Sequence, residues 1–482
     1  MNTSLQSALA SKFIAFTLRP VTVALLALAF AGGLYAVEGR WQHMPYIVLI
    51  VVFLSSAAFI LSKRFAFSAY LSMTVVGLIT LISIAKFKGQ GFDLHVYDIA
   101  FTGSDTEALK FLLATYWNLA LPVVAVMVVA VVGLVMVWRG ERPSKICFRF
   151  RAIALALSAA LIPVSYPLDA ANPRYFHYLA GFNASAFFVS FVDIAEAFAD
   201  DPIKMRVESA VETSTFETSN SCDGFEVKPD IYIVLSESAT NYKIYPEVNL
   251  QNIPENAFIS EDQNWRFLRV ETFGGGTWVS NLSLMTGLAS RDFGWRAPYL
   301  TVQLEDQIQE SLATLLKRCG YHTAVMTPMK HSFVNEGPFL ESIGFDTILD
   351  FDAIQATAFN HRDDYYYQAA DTFLQKHIQS DGRPIFMQIQ TMFAHSPFDD
   401  PREPQIKIQE AAFVQNGPLN EHIRRVYIAQ NDFHTFIERR KELQPDRPFV
   451  VLEFGDHQTL AARTLADEQH GGNSLADPDS SA

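Results

Sequence analysis

Positive charge and cysteine are both scarce in this chain. Its 482 residues carry 37 Lys and Arg against 51 Asp and Glu, a formal net charge of -14 at pH 7, and most of the acids follow Pro167. An acidic distal part argues against a nucleic-acid partner, because phosphates would be repelled. Three cysteines occur. Cys222 and Cys319 could pair in an oxidising compartment, but two cysteines so far apart in sequence are weak evidence.

Charged residues are also nearly absent from five apolar runs near the start of the chain. Each run is long enough, or nearly so, to cross a bilayer core of about 30 Å. They cover approximately 20–37, 45–62, 66–85, 118–138 and 151–167. Because the runs lack internal charges that could form an ion path, a transporter is disfavoured. We expect a transmembrane domain of about five helices over 1–167.

Basic residues cluster in the loops of this region and predict its orientation. They are Lys12 and Arg19, Lys63 and Arg64, and five cations within 139–151. The positive-inside rule assigns these clusters to the cytoplasmic face, so five spans place everything after Pro167 outside. The first run could instead be a cleaved signal sequence, which leaves the distal part on the same face.

Three shorter segments connect the spans to the distal part or to one another. Residues 86–116 predict an external segment with a short helix on the membrane surface. Residues 183–199 predict either an interfacial helix or a helix packed on the soluble domain. Residues 207–228 are rich in Ser, Thr and Glu without a period and predict a linker. We therefore assign 168–228 to an interfacial helix and linker.

From Pro229 the pattern alternates between strands and helices, which predicts an α/β domain over 229–482. The predicted strands are 230–235, 323–327, 384–390 and 449–454, and the predicted helices are 277–289, 305–319 and 363–378. In such sheets the ligand site gathers at the carboxyl ends of the strands.

Polar residues capable of chemistry follow these strand ends. Glu237 follows the first strand, Asp456-His457 the last, and His395 the strand 384–390. Thr277 follows three glycines at a predicted helix start, which offers free N–H groups to an anion. Each residue alone is compatible with a structural role, but their joint position is hard to explain by chance.

These residues also form a chemically coherent set. Glu237, Thr277, Asp456 and His457 make an oxygen-rich, one-nitrogen site suited to one divalent metal, Zn²⁺ or Mn²⁺. A metal is needed because a free Thr hydroxyl is a poor nucleophile near neutral pH.

At these residues the chain resembles the alkaline-phosphatase superfamily. It is most similar to the membrane-anchored, sulfatase-like group with lipoteichoic acid synthases, lipid A phosphoethanolamine transferases and phosphoglycerol transferases. The resemblance implies that Glu237, Asp456 and His457 are metal ligands and that Thr277 is both ligand and nucleophile. It also implies that His395, in His-Ser-Pro-Phe, contacts the substrate phosphate.

The chain departs from the family pattern in three places. Glu336 stands where relatives resembling lipoteichoic acid synthase carry a phosphate-holding Arg near Asn335, so the anion clamp must come from elsewhere. Gln458 replaces a frequent Gly, and the sequence ends 25 residues after His457. Further residues that we expect to bind substrate are Lys330, Asn335, Arg362 and His470.

The resemblance implies a two-step transfer. Thr277 would take a phosphoethanolamine or phosphoglycerol head group from a membrane phospholipid and pass it to a cell-envelope glycan or lipid. The expected location is the bacterial inner membrane, with the catalytic domain on the periplasmic or extracellular side. The alternatives are a phosphodiesterase or sulfatase-like hydrolase, and a non-catalytic envelope sensor with a degenerate enzyme domain.

Overall fold

The computed structural model describes residues 15–99, 105–167, 181–199, 222, 227–244, 257–264, 266, 268–270, 272–406 and 417–462. The chain divides into two compact units. The membrane unit comprises Met1–Ala100 and Leu112–Ala199, and the catalytic unit comprises Phe101–Phe111 and Asp200–Ala482.

The described part of the membrane unit contains five helices long and apolar enough to cross a membrane, which confirms the expected number. They are α1 (Pro20–Glu38), α2 (Met44–Ser62), α3 (Phe65–Gln90), α5 (Trp117–Gly140) and α6 (Phe148–Leu161), with α4 (Thr106–Thr115) between the third and fourth.

The third span is longer than the sequence predicted. Helix α3 runs to Gln90 and ends at Gly91, whose φ of 75° is left-handed. Lys86 therefore lies in the helix rather than in the external segment assigned to 86–116. Its ammonium group contacts Asp98 Oδ2 at 2.6 Å, which gives a basic residue a partner near the end of an apolar helix.

Helix α7 (Asn183–Ala199) belongs to the membrane unit. Two buried carboxylates bind its first turn. Asp93 Oδ1 accepts the N–H of Asn183 at 3.0 Å, and Glu38 Oε1 accepts the N–H of Ala184 at 2.8 Å. Acceptors at this end satisfy N–H groups that have no partner within the helix. Of the two readings of 183–199, these contacts favour a helix associated with the spans.

The catalytic unit is built on a five-stranded, wholly parallel sheet with strand order β3-β2-β4-β1-β5. The strands are β1 (Asp230–Ser236), β2 (His322–Met326), β3 (Thr347–Leu349), β4 (Ile385–Gln390) and β5 (Phe449–Gly455). Apolar side chains cover both faces of the sheet, so the central strands read as continuous apolar runs. This confirms the predicted α/β class.

Helices pack on the sheet and carry the segments of the site. They are α8 (Thr277–Thr286), α9 (Leu300–Gln303), α10 (Leu312–Arg318), α11 (Glu336–Ser342), α12 (Asp363–Ser380) and α13 (Gly417–Leu443). The sequence did not predict β3, α11 or the 27-residue α13.

The helix predicted over 305–319 is wrong at its start. Helix α10 begins only after Ser311, whose hydroxyl accepts the Thr314 N–H at 3.0 Å while Thr314 Oγ1 accepts the Ser311 N–H at 2.8 Å. This reciprocal pair is a capping box, which fixes a helix start. The apolar periodicity before Ser311 was therefore not helical.

Cys222 and Cys319 form a disulfide with Cα atoms 5.4 Å apart. The bond joins the segment before β1 to the residue that ends α10, and it closes a loop of sequence separation 97. Cys147 is free and exposed.

Replacing both bonded cysteines by serine should lower the free energy of unfolding of the catalytic unit by about 2–4 kcal/mol, because the bond restricts the unfolded chain. The measurement is the urea midpoint for protease resistance of residues 229–462 in the purified full chain. Cys147→Ser is the matched control. Equal midpoints for Cys222→Ser/Cys319→Ser and the control would contradict the prediction.

Candidate active site and metal centre

The central strands bring the predicted ligands to one edge of the sheet. β1 lies between β4 and β5, and its last residue, Ser236, is paired with Gly455. Glu237 therefore emerges next to Asp456. A Cβ at Gly455 would lie 2.2 Å from the carbonyl oxygen of Ala239. Glycine is therefore required for the end of β5 to lie this close to the segment that follows β1.

Four of the predicted site residues are adjacent in space. Thr277 Oγ1 donates to Asp456 Oδ2 at 2.7 Å, and His457 Nε2 lies 3.2 Å from the same oxygen. His457 Nε2 also lies 3.9 Å from Glu237 Oε1. One ligand atom from each of Glu237, Asp456 and His457 lies within 4.8 Å of the others.

The start of α8 is fixed to the strand that carries Asp456. Gly276 precedes Thr277 with a φ of 89°, a left-handed conformation that favours glycine. Gly274 donates its N–H to the carbonyl of Gln458 at 2.7 Å, and Ser280 Oγ donates to the carbonyl of Asp456 at 2.6 Å. These bonds tie the nucleophile candidate to the ligand candidates through backbone atoms.

The charges of this cluster fit a divalent cation. Glu237 is 2% exposed, and its Oε2 is a buried oxygen with no hydrogen-bond partner. Burial raises the pKa of the Glu237 carboxyl well above its ordinary value, and the charge of Asp456 raises it further. A cation bound here would give the orphan oxygen a ligand role and remove the repulsion. Two carboxylates, an imidazole and a hydroxyl therefore suit a divalent metal.

A second group of possible ligands fits a metal less well. His322, His377 and Asp381 lie near the amino end of β2, away from the edge where Glu237 emerges. The two imidazole rings stack with centroids 4.8 Å apart. Their Nε2 atoms already contact Thr347 Oγ1 at 3.1 Å and the carbonyl of Arg383 at 2.9 Å. Arg383 already pairs with Asp381 at 2.7 Å.

His395 is held by its backbone and lies among aromatic rings. Its carbonyl accepts from Arg425 Nη1 at 2.7 Å, and its ring Nδ1 contacts the carbonyl of Ser396 at 2.5 Å. Removal from water lowers the pKa of His395 to about 3, although the Ser396 contact opposes this. The imidazole is therefore neutral at neutral pH.

A segment from between the third and fourth spans belongs to the catalytic unit. Asp105 Oδ2 accepts the N–H of Val334 at 2.7 Å, and its Oδ1 accepts the N–H groups that open α4. Val334 has a φ of 46°, which is rare for a β-branched residue. Phe111 places its ring 5.8 Å from that of His395 and 4.8 Å from that of Phe359. We did not predict this docking from the sequence.

The residues expected to bind substrate have these positions in the structure. Arg362 makes a bidentate pair with Asp432 (2.6 and 2.8 Å), and Lys330 lies 3.8 Å from Asp352. Asn335 Nδ2 donates to Glu305 at 2.7 Å. Their contact with substrate stays a prediction. His470 lies outside the described residues.

Beneath α8 the structure reveals a buried polar network that the sequence analysis missed. Glu336 accepts from Asn281 at 2.8 Å and from Gln390 at 3.2 Å, and Gln388 donates to Asn281 at 2.6 Å. Burial raises the pKa of Glu336. The two glutamines alternate in an otherwise apolar strand, a signal that was readable. Glu336 is thus part of the internal support of α8.

The chain matches the family model described as Sulfatase over residues 229–475. This range covers the strand sheet, Thr277, His395 and the Glu237, Asp456 and His457 group. The chain therefore belongs to the Sulfatase family.

An uncharacterised protein of Haemophilus influenzae is 26% identical over 269 residues, 52% of this chain and 48% of the relative. The chain thus spans about half the length of the curated relative it matches. Among solved structures, lipoteichoic acid synthase LtaP from Listeria monocytogenes is 22% identical with a TM-score of 0.40, covering 54% of this chain and 68% of its own. Phosphoethanolamine transferase EptA from Neisseria meningitidis is 12% identical with a TM-score of 0.47, covering 90% and 83%. Values this low carry no argument about activity.

Asp105→Asn should loosen the turn at Val334 while keeping the cap of α4, because an amide oxygen still accepts the helix N–H groups. Asp105→Ala loses both and should loosen the turn further. We expect hydrogen exchange of the Val334 amide to accelerate by about tenfold or more, the size of one lost charged hydrogen bond. Glu107→Gln is the control on the same helix. Exchange as slow as in the unchanged protein would show that Asp105 does not hold the turn.

Glu453 predicts a pH effect on stability. Burial raises the pKa of the Glu453 carboxyl from 4.5 to about 7, although the hydrogen bonds from Ser236 and Gln430 act to lower it. Because the folded state holds this proton more tightly, the contribution of Glu453 to stability falls as pH rises from about 4.5 to 7. Glu453→Gln should remove that slope and be more stable at pH 8, by about 1–3 kcal/mol.

The measurement is the urea midpoint of the full chain between pH 5 and 8, beside the exposed control Glu261→Gln. If Glu453→Gln and the unchanged protein keep parallel pH profiles, the shift of Glu453 is refuted.

Proposed function

We propose that this protein transfers a phosphoethanolamine or phosphoglycerol head group from a membrane phospholipid to a cell-envelope glycan or lipid. One observation carries the proposal. The Thr277 hydroxyl lies 2.7 Å from Asp456, inside the group formed with His457 and Glu237. Gly276, not Thr277, is the N-cap residue of α8, so the Thr277 hydroxyl does not occupy the capping position.

The transfer would take two displacements at phosphorus. In the first, Thr277 Oγ bonds to phosphorus, the bond from phosphorus to the diacylglycerol oxygen breaks, and that oxygen takes a proton. In the second, the oxygen of an acceptor hydroxyl bonds to phosphorus and loses its proton, the bond from phosphorus to Thr277 Oγ breaks, and Thr277 Oγ takes up a proton. Asp456 already accepts the Thr277 hydroxyl and is in position to take its proton. The neutral ring of His395 keeps its proton on Nδ1, facing the Ser396 carbonyl, so Nε2 would hydrogen-bond a phosphoryl or leaving oxygen only when that nitrogen or that oxygen carries a proton.

A divalent metal held by Glu237, Asp456, His457 and Thr277 would supply charge that stabilises the deprotonated hydroxyl and the phosphoryl oxygens. We propose Zn²⁺ or Mn²⁺, because one imidazole among oxygen ligands suits both. The roles of these residues are part of the proposal.

The membrane unit favours a lipid donor over a soluble one. Five apolar helices in the same chain keep the catalytic unit at a bilayer, where a phospholipid head group is presented. We propose the inner membrane, with the catalytic unit on the periplasmic or extracellular side. The Cys222–Cys319 disulfide supports an oxidising compartment.

Three alternatives to this function can be compared with the residues of the site. A sulfatase that depends on formylglycine would need Cys or Ser in a Cys/Ser-x-Pro-x-Arg context, and the residues after Thr277 lack both the Pro and the Arg. A phosphodiesterase using the same Thr differs only in taking water as acceptor. A degenerate, non-catalytic sensor is disfavoured, because Glu237, Thr277, Asp456 and His457 are all present.

Incubation of the metal-loaded full chain with phosphatidylethanolamine or phosphatidylglycerol should add one phosphorylated head group to Thr277. Intact mass and peptide mass spectrometry measure the adduct and name the donor. Thr277→Ala should abolish it, and a chelator should reduce it by several orders of magnitude. The matched control is Thr286→Ala, at the far end of the same helix.

The final location of the head group distinguishes transfer to an acceptor from hydrolysis by water. Head group found on an added glycan or lipid supports a transferase, whereas free head-group phosphate alone supports a phosphodiesterase. Bound metal without an adduct from either lipid would remove the main support for the proposal.

A further inference from the structure

The proposed ligand set leaves the substrate's own charge unbalanced. Two carboxylates, Glu237 and Asp456, neutralise a divalent metal, and His395 is uncharged near neutral pH. A phosphodiester brings further negative charge that grows on its oxygens during displacement. The site therefore calls for one more cation.

The two cations named from the sequence are already paired. Arg362 is bound by the carboxylate of Asp432 through both Nε and Nη2. Lys330 lies beside Asp352, with its side chain 42% exposed. The guanidinium group of Arg362 and the ammonium group of Lys330 therefore face other carboxylates rather than the edge of the sheet where Glu237 lies.

Arg402 meets the requirement on geometry. Its Nη1 donates at 2.9 Å to the carbonyl of Phe393, two residues before His395 and three after the end of β4. β4 is the neighbour of β1, which ends at Ser236 just before Glu237, so this carbonyl lies on the same sheet edge. Among the described residues, Nε and Nη2 of Arg402 have no hydrogen-bond partner, and no carboxylate forms an ion pair with it.

The backbone of Arg402 is fixed at both of its polar groups by α13. Its N–H donates to Glu421 Oε1 at 3.0 Å, and its carbonyl accepts from Arg424 Nη2. Glu421 is itself bound by Arg424 and Arg425, at 2.8 and 2.7 Å. The carboxylate nearest to Arg402 is thus already neutralised, and the Arg402 side chain starts from a rigid position.

Electrostatics agree with this placement. The charge of Arg402 acts on both Glu237 and His395, lowering the pKa of each below what burial and the other neighbours would give. Burial, together with the nearby charge of Arg425, lowers the pKa of Arg402 to about 10. Arg402 therefore stays charged at neutral pH.

We propose that Arg402 is the anion clamp of this site, with the free Nε and Nη2 of its fork binding non-bridging oxygens of the phosphoryl group. A planar fork with two free N–H groups suits a tetrahedral oxyanion. The assignment rests on the proposed function for the lipid substrate, but oxyanion binding itself does not depend on it.

The test is tungstate binding to the zinc-loaded full chain in detergent, measured by calorimetry. Arg402→Gln should weaken binding at least tenfold, and Arg402→Lys, which keeps the charge without the fork, should fall between. Arg318→Gln, at an exposed arginine paired with Glu310, is the control and should bind as the unchanged protein does. Zinc content by mass spectrometry should be equal in all four.

A second measurement separates binding from a structural role. Added guanidinium ion should restore tungstate binding to Arg402→Ala, because it replaces the lost fork, whereas it cannot restore a displaced loop. Undiminished binding by Arg402→Gln, no binding by the unchanged protein, loss of zinc, or absence of rescue would each overturn the clamp.

The proposed function can fail separately. If Arg402→Gln loses tungstate while no head group reaches Thr277 from either lipid, the clamp stands and the lipid transfer falls. If the adduct forms normally in Arg402→Gln and tungstate binding is unchanged, the transfer stands and the clamp falls.

Discussion

The repulsion between two buried carboxylates organises the catalytic unit. Glu237 and Asp456 are brought together by the parallel pairing of β1 with β5, and the close approach at Gly455 prevents them from separating. Such a pair is costly without a cation, since each ionised group raises the energy of the other. The same arrangement that makes the cation-free site unfavourable would favour a bound divalent ion, and the Thr277 hydroxyl donates to the Asp456 carboxylate in the same group.

Four residues of the candidate site could be predicted from the sequence because they lie where strands end or where a helix begins. Glu237, Thr277, Asp456 and His457 follow strands or open a helix, and the order of strands in a parallel sheet brings such positions to one edge. The apolar runs of the five spans were readable for a similar reason, since each is set by one length and one composition. Family membership over 229–475 agrees with the predicted α/β domain.

What the sequence could not provide depends on contacts between distant segments. In the sequence, Arg402 does not differ from the other arginines, and only its contacts with Phe393 and Glu421 show where it lies. Arg362 was an equally reasonable candidate for binding substrate, and its pairing with Asp432 is visible only in the structure. Helix α10 begins later than predicted because Ser311 and Thr314 form reciprocal hydrogen bonds, which the apolar periodicity of the sequence does not indicate. The glutamines of β4 were visible as polar residues, but their bonds to Asn281 and Glu336 were not.

The docking of Asp105 and Phe111 also constrains how the chain threads the bilayer. A segment that packs on the catalytic unit must emerge on the same side of the membrane as that unit. Between Phe111 and the start of β1 only α5 and α6 are apolar and long enough to cross among the described residues, and two crossings return a chain to the side it left. The contact between Asp105 and Val334 thus requires an even number of membrane crossings between Phe111 and β1, a constraint that does not depend on where the basic loops lie.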